Sequence, residues 1–166
     1  PSSGPGGSNY LHAAMTTRGP YWAAGHEGQD RYKYYLYEPA SPAPQSAPVV
    51  LFLHGWNATE PRAYGAWIEH MVRKGYTVVW AQYQDSVLTL PFLFAGDAMA
   101  AWRDALNRLD TEPGHVKPSR DYKGKYNTAI MGHSAGGYLS LILAALVALL
   151  VFLQAYIYPF SRLVVR

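Results

Sequence analysis

The 166-residue chain has a formal charge of +3 and a pI of about 9.1, but only 15% of its residues are charged and they are scattered, too thin a positive surface for a nucleic-acid partner. It has no cysteine, which excludes a disulfide framework and a thiolate zinc site. No histidine pair falls at helical metal-ligand spacing and no Gly-x-x-x-x-Gly-Lys loop is present, so no metal and no cofactor is expected, and the length suits one domain with a sizeable core.

Taken in chain order, Pro1 to Ser8 is Gly, Ser and Pro with nothing to bury, and is expected to be flexible. A removed secretory signal is one explanation for a start at Pro1, although none is visible. Residues 1–30 are read as a flexible N-terminal segment with the first elements. Arg31 to Tyr37 alternates aromatic and polar residues and predicts a strand, broken by the proline-rich Glu38 to Pro44. Val49 to Leu53 is β-branched and apolar and reads as a buried parallel strand ending in His54-Gly55-Trp56-Asn57.

Ala63 to Lys74 has Ala66, Trp67, His70 and Met71 at helical spacing, with Gly75 as its stop. The strand Tyr76 to Ala81 follows. Ala98 to Leu109 predicts a second helix, with Trp102, Ala105, Leu106 and Leu109 on its inner side, Asp97 as N-cap, and Arg103, Asp104 and Arg108 toward water. Strands alternating with helices imply an α/β fold, a mostly parallel sheet with helices on both faces. Lys117, Arg120, Lys123 and Lys125 form one basic cluster, read as a solvated loop at the opposite end of the sheet from the next motif.

That motif is Gly132-His133-Ser134-Ala135-Gly136-Gly137, between the apolar Thr128 to Met131 and a long apolar segment from Tyr138. Strand, sharp turn and helix with a serine at the apex expose the hydroxyl at a helix N-terminus. The N–H of Ala135 then faces the oxyanion formed when that hydroxyl attacks an acyl carbon.

On these two motifs, residues from about Tyr32 to about Leu143 resemble the N-terminal half of an α/β-hydrolase. The likeness is to bacterial esterases, lipases and cutinase-like enzymes with a Gly-His-Ser-x-Gly-Gly turn, so it implies a partial α/β-hydrolase fold. It also implies that Ser134 is the nucleophile and that the N–H groups of Trp56 and Ala135 form the oxyanion hole. His54, Gly55, Gly132, His133, Gly136 and Gly137 shape the motifs. Trp56, Tyr83 and Tyr138 are near enough to line an apolar acyl site, with simple core packing as the other reading.

In that family the acid and then the histidine follow the serine along the chain. After Ser134 there is no Asp, Glu or His, and the only charged residues are Arg162 and Arg166. A serine hydroxyl without a base is a poor nucleophile. Catalytic acid and catalytic histidine are therefore unassigned. Upstream, Asp85 follows a strand at the sheet end that holds the serine, and is a candidate acid with loop solvation or local capping as the alternative.

From Leu141 to Leu153 every residue is Leu, Ile, Ala, Val or Phe, and 138–160 is broken only by Ser140, Gln154 and Pro159. Such a run is long enough to span a bilayer or to form a core helix, and it can also be sequence foreign to the family. The organisation is thus 31–146 as hydrolase core and 147–166 as an atypical apolar tail. Unless Ala155 to Tyr158 or Leu163 to Val165 supplies a neighbouring strand, the serine's strand has an open edge, which predicts self-association. The leading functional expectation is a serine hydrolase acting on a small-molecule or lipid-like carboxylic ester, in a truncated or degenerate form with an incomplete triad. The alternatives are an inactive binding protein of the same fold and a protein membrane-associated through 138–160.

Overall fold

In the computed structural model, which describes residues 2–4 and 6–161 and side chains as far as 149, the elements follow in the order β1 (Ala14–Trp22), β2 (Lys33–Ala40), β3 (Ser46–Ala47), β4 (Val49–Leu53), α1 (Gly65–Arg73), β5 (Thr77–Gln82), α2 (Phe94–Thr111), β6 (Lys117–Pro118), β7 (Thr128–Gly132) and α3 (Ala135–Ser161). The main sheet has the order β1-β2-β5-β4-β7. Only β2 is antiparallel to its neighbours, so the other four strands point one way. β3 and β6 form a separate two-stranded ladder.

The two faces of β4 show why its run is apolar throughout. Val50 and Phe52 pack with Val78, Trp80 and the α1 residues Ile68, Met71 and Val72. Val49, Leu51 and Leu53 face the other way, toward Ala98, Ala101, Trp102, Ala105 and Leu109 of α2 and Leu139 and Leu143 of α3. A strand alternates its side chains between faces, and here both faces are covered by helix.

Several local readings change. β1 was hidden by Gly19 and Pro20, which interrupt its register between Arg18 and Tyr21 and are tolerated because β1 is an edge strand. The sheet therefore starts ahead of residue 31. β2 runs through Pro39, because its pairing with β5 ends at Tyr37 and beyond that only β1 is its partner. Just past α1, the Lys74 ammonium donates to the carbonyls of Gly4 (3.1 Å) and Asn9 (2.7 Å).

α2 begins at Phe94, a turn ahead of the expected start, so Asp97 is not the N-cap but a buried residue of the first turn, 3.6 Å from the Arg31 guanidinium. Burial raises its carboxyl above the ordinary carboxylate range. Asp104 and Arg108 do not simply face water: the Tyr34 hydroxyl donates to Asp104 (2.5 Å) and accepts from Arg108 (2.9 Å), tying α2 to β2. α1 ends as its glycine dictates, with Gly75 at φ +100° and its N–H on the Val72 carbonyl at 2.9 Å.

Among the described residues β7 pairs with β4 alone. Ala155 to Tyr158 supplies no strand, because it is helical within α3. Leu163 to Val165 lies outside the described residues. No helix among the described residues is long and apolar enough to cross a membrane. The side chains of 150–160, part of the proposed span, lie outside them.

Candidate active site

Parallel pairing brings the two motifs together. Leu53 is in register with Gly132, so β4 and β7 end side by side and release His54-Gly55-Trp56 and His133-Ser134 from the same sheet end. The His133 N–H donates to the Leu53 carbonyl at 3.1 Å and continues the ladder one residue further.

Ser134 has φ +54°, the left-handed region that side-chain-bearing residues rarely occupy. The turn is made possible by the glycines on either side. A Cβ on Gly132 would lie 2.1 Å from the Gly136 carbonyl oxygen, and one on Gly136 would lie 2.1 Å from the Leu53 carbonyl oxygen. Gly137 is less constrained, its nearest such contact being 3.4 Å. The Ser134 side chain is exposed where α3 begins, and the first N–H groups of a helix, Ala135 among them, have no intrahelical acceptor.

Gly55 is where the two motifs touch. A Cβ there would sit 3.0 Å from His133 Nδ1, 3.1 Å from the Tyr64 hydroxyl and 3.5 Å from Ser134 Cβ. The Gly55 N–H donates to the Tyr64 oxygen at 2.9 Å, and the Tyr64 hydroxyl is hydrogen-bonded with His133 Nδ1 at 3.0 Å. The Asn57 N–H is held by Gln84 Oε1 at 2.7 Å, and that of Ala58 by the Gly55 carbonyl at 3.0 Å. Between them, the Trp56 N–H has no hydrogen-bond partner among the described residues.

His54 is fully buried, its ring stacked 4.3 Å from Tyr83 and 5.4 Å from Trp80. Its Nδ1–H donates to the Gly55 carbonyl at 2.7 Å. Burial pushes its pKa down to about 4, so it is neutral near pH 7. The Tyr83 hydroxyl donates to the His54 carbonyl. Tyr83 is itself buried, the core-packing reading of the two, whereas Trp56 and Tyr138 are exposed. Packing against His54 and Phe94 is what withdraws it.

No side chain among the described residues hydrogen-bonds the Ser134 hydroxyl. His133 is engaged by Tyr64. Asp85 accepts the Thr89 hydroxyl at 2.6 Å, a local turn contact. No group of His, Asp or Glu among the described residues could hold a metal ion. Of the basic cluster, Lys117 caps the carbonyls of Asp110 and Glu112 and Arg120 pairs with Asp110 at 2.7 Å, at the far end of β7 from Ser134.

Tyr64 and Gln84 are the site residues that sequence reasoning missed. Tyr64 closes a short 3-10 turn, Pro61–Tyr64, with no motif to mark it. Gln84 follows β5 at the sheet end where sites cluster, which was the one available signal.

No family model matches the chain, and no curated protein matches it. Among solved structures it is similar to esterase B from Lactobacillus rhamnosis. The structure inhibited by a C4-C4 SN3 tributyrin phosphonate matches with TM-score 0.62 and 18% identity over 80% of this chain. A C6-C4 SN3 inhibited structure matches with TM-score 0.59 and 20% identity over 78%, and a third with 0.58 and 19% over 78%. The chain spans 39–40% of the length of those chains. Strand order, helix placement and this likeness define the fold: an α/β fold, a mostly parallel sheet with helices on both faces, that matches part of the fold of those structures.

Proposed function

We propose that the chain is the nucleophile-bearing part of a serine hydrolase that cleaves carboxylic esters through an acyl-enzyme on Ser134. The observation that carries this reading is the left-handed Ser134, held between glycines, with its Cβ 3.5 Å from where a Cβ on Gly55 would lie, the residue that precedes Trp56 and its unengaged N–H. Ser134 Oγ attacks the acyl carbon while its proton passes to a base. The carbonyl oxygen, now negative, is met by the N–H groups of Trp56 and Ala135, and such preorganised donors are worth roughly 3–4 kcal/mol of barrier each. The alcohol departs, and water then releases the acid and restores the serine. In this reading the imidazole and its orienting acid come from outside these 166 residues.

Labelling with a fluorophosphonate probe tests the assignment, with free imidazole added as proton acceptor and Ser134→Ala as control. Labelling confined to Ser134 and accelerated by imidazole supports it. A folded sample that stays unlabelled, or is labelled elsewhere, rejects it. The second reading, a catalytically inactive binding protein of the same fold, is favoured by the absence of a base on Ser134 among the described residues, and it predicts that negative result.

A further inference from the structure

A cavity of about 360 Å³ opens between β1, β2, α1 and the Pro61–Tyr64 turn, with no residue of the serine turn in its wall. Its floor follows from strand alternation. Tyr35 and Tyr37, two apart on β2, share a face, and Met15 of β1 and Ile68 of α1 join them in the apolar cluster on that side of the sheet. The size is that of a small-molecule site.

The polar groups around this floor are not used by the fold. Tyr37 is only 7% exposed, yet its hydroxyl makes no hydrogen bond among the described residues, whereas a buried hydroxyl ordinarily has a partner. Burial pushes this phenol up to about 12, with Tyr35 and the Glu60 carboxylate adding to the rise, so it keeps its proton near neutral pH and lies in the field of Glu60. At the rim Glu60 and Arg62 are exposed, two residues apart and opposite in charge. Neither side chain forms an ion pair or hydrogen bond, with the other or with any further described residue.

Two opposite charges on one rim that do not neutralise each other select a ligand by sign. A ligand with one charge is attracted by one rim group and repelled by the other, whereas an ammonium and a carboxylate on the same carbon meet both. The apolar floor then takes what else that carbon carries. We propose that the cavity binds a free apolar α-amino acid, its ammonium at Glu60 and the Tyr37 hydroxyl, its carboxylate at Arg62 and its side chain over Met15 and Ile68.

Isothermal titration calorimetry of the full chain with L-leucine, N-acetyl-L-leucine and L-leucinamide tests this, because the second lacks the ammonium and the third the carboxylate. Leucine is expected to bind roughly tenfold more tightly than either, as one hydrogen-bonded charge is worth. Glu60→Gln should lower leucine affinity about fivefold and remove its advantage over N-acetyl-leucine, and Arg62→Gln should remove its advantage over leucinamide. Both variants should keep the parent's thermal midpoint, because these side chains lie at the surface. Tyr37→Phe keeps the ring in the core and should weaken leucine in the same direction. Glycine, with no side chain to set on the floor, should bind more weakly than leucine, and Ser134→Ala should leave every affinity as it was. No leucine binding, equal binding of the three leucine compounds, or a preference that survives both rim variants overturns the proposal. Loss of binding in Ser134→Ala does so too, by placing the ligand at the serine. Because binding is read without turnover, failed labelling of Ser134 would reject the hydrolase reading and leave the amino-acid site standing.

Discussion

The Tyr64 hydroxyl lies 3.0 Å from His133 Nδ1 and joins the serine turn to the loop after β4. The same oxygen accepts the Gly55 N–H, so one phenol ties together the residues that precede Trp56 and Ser134.

Tyr64→Phe keeps the ring against Phe52 and Trp80 but leaves the Gly55 N–H without its acceptor. A part-buried donor stripped of its partner costs about 1–3 kcal/mol. Urea unfolding is expected to show a loss in that range, and the rate of phosphonate labelling at Ser134 should fall with it. Unchanged stability together with unchanged labelling would break the proposed link between the two motifs.

The glycines of the turn make a sharper contrast. Gly136→Ala drives a methyl group to 2.1 Å from the Leu53 carbonyl and is expected to cost more than about 4 kcal/mol, seen as loss of soluble folded protein. Gly137→Ala, one residue on, meets only an ordinary contact at 3.4 Å. Its thermal midpoint should stay within a few degrees of the parent, about 1 kcal/mol.

His54 makes stability depend on pH with a definite sign. Its folded pKa of about 4 lies below the ordinary histidine value of about 6.5. Between those values the unfolded chain binds a proton that the folded chain refuses. The stability from burying neutral imidazole is therefore complete above about pH 6.5 and is lost as pH falls toward 4, with a slope on the order of 1 kcal/mol per pH unit. Denaturant titrations at pH 7 and pH 5 measure it, and His54→Gln should flatten the difference.

Among the described residues β7 is paired on one side only, which predicts concentration-dependent association in detergent-free buffer, because unpaired strand groups template pairing with another chain. Ala129 is exposed on that strand, and Ala129→Lys should shift the sedimentation profile toward monomer. A parent chain that sediments as a single monomer at every concentration contradicts the idea.

Local chemistry alone settled much of this protein. The apolar Val49–Leu53 could only be a strand covered on both faces, Gly75 could only end a helix, and a glycine-flanked serine between strand and helix signalled a strained turn; the structure has these elements within a residue or two. The determinants lie within a few residues of where they act, so they are readable in line. What tertiary structure decided is of another kind. Pro39 sits in β2 because β5 has already left it, Asp97 is buried because α2 starts a turn early, and Tyr83 turns inward onto His54. Tyr64 and Gln84 reach the site from turns with no motif, Tyr64 through hydrogen bonds to Gly55 and His133 across 9 and 69 residues of chain and Gln84 through one to Asn57 across 27. A bond of that span depends on where the sheet places its ends, and no periodicity or spacing in the sequence encodes that distance.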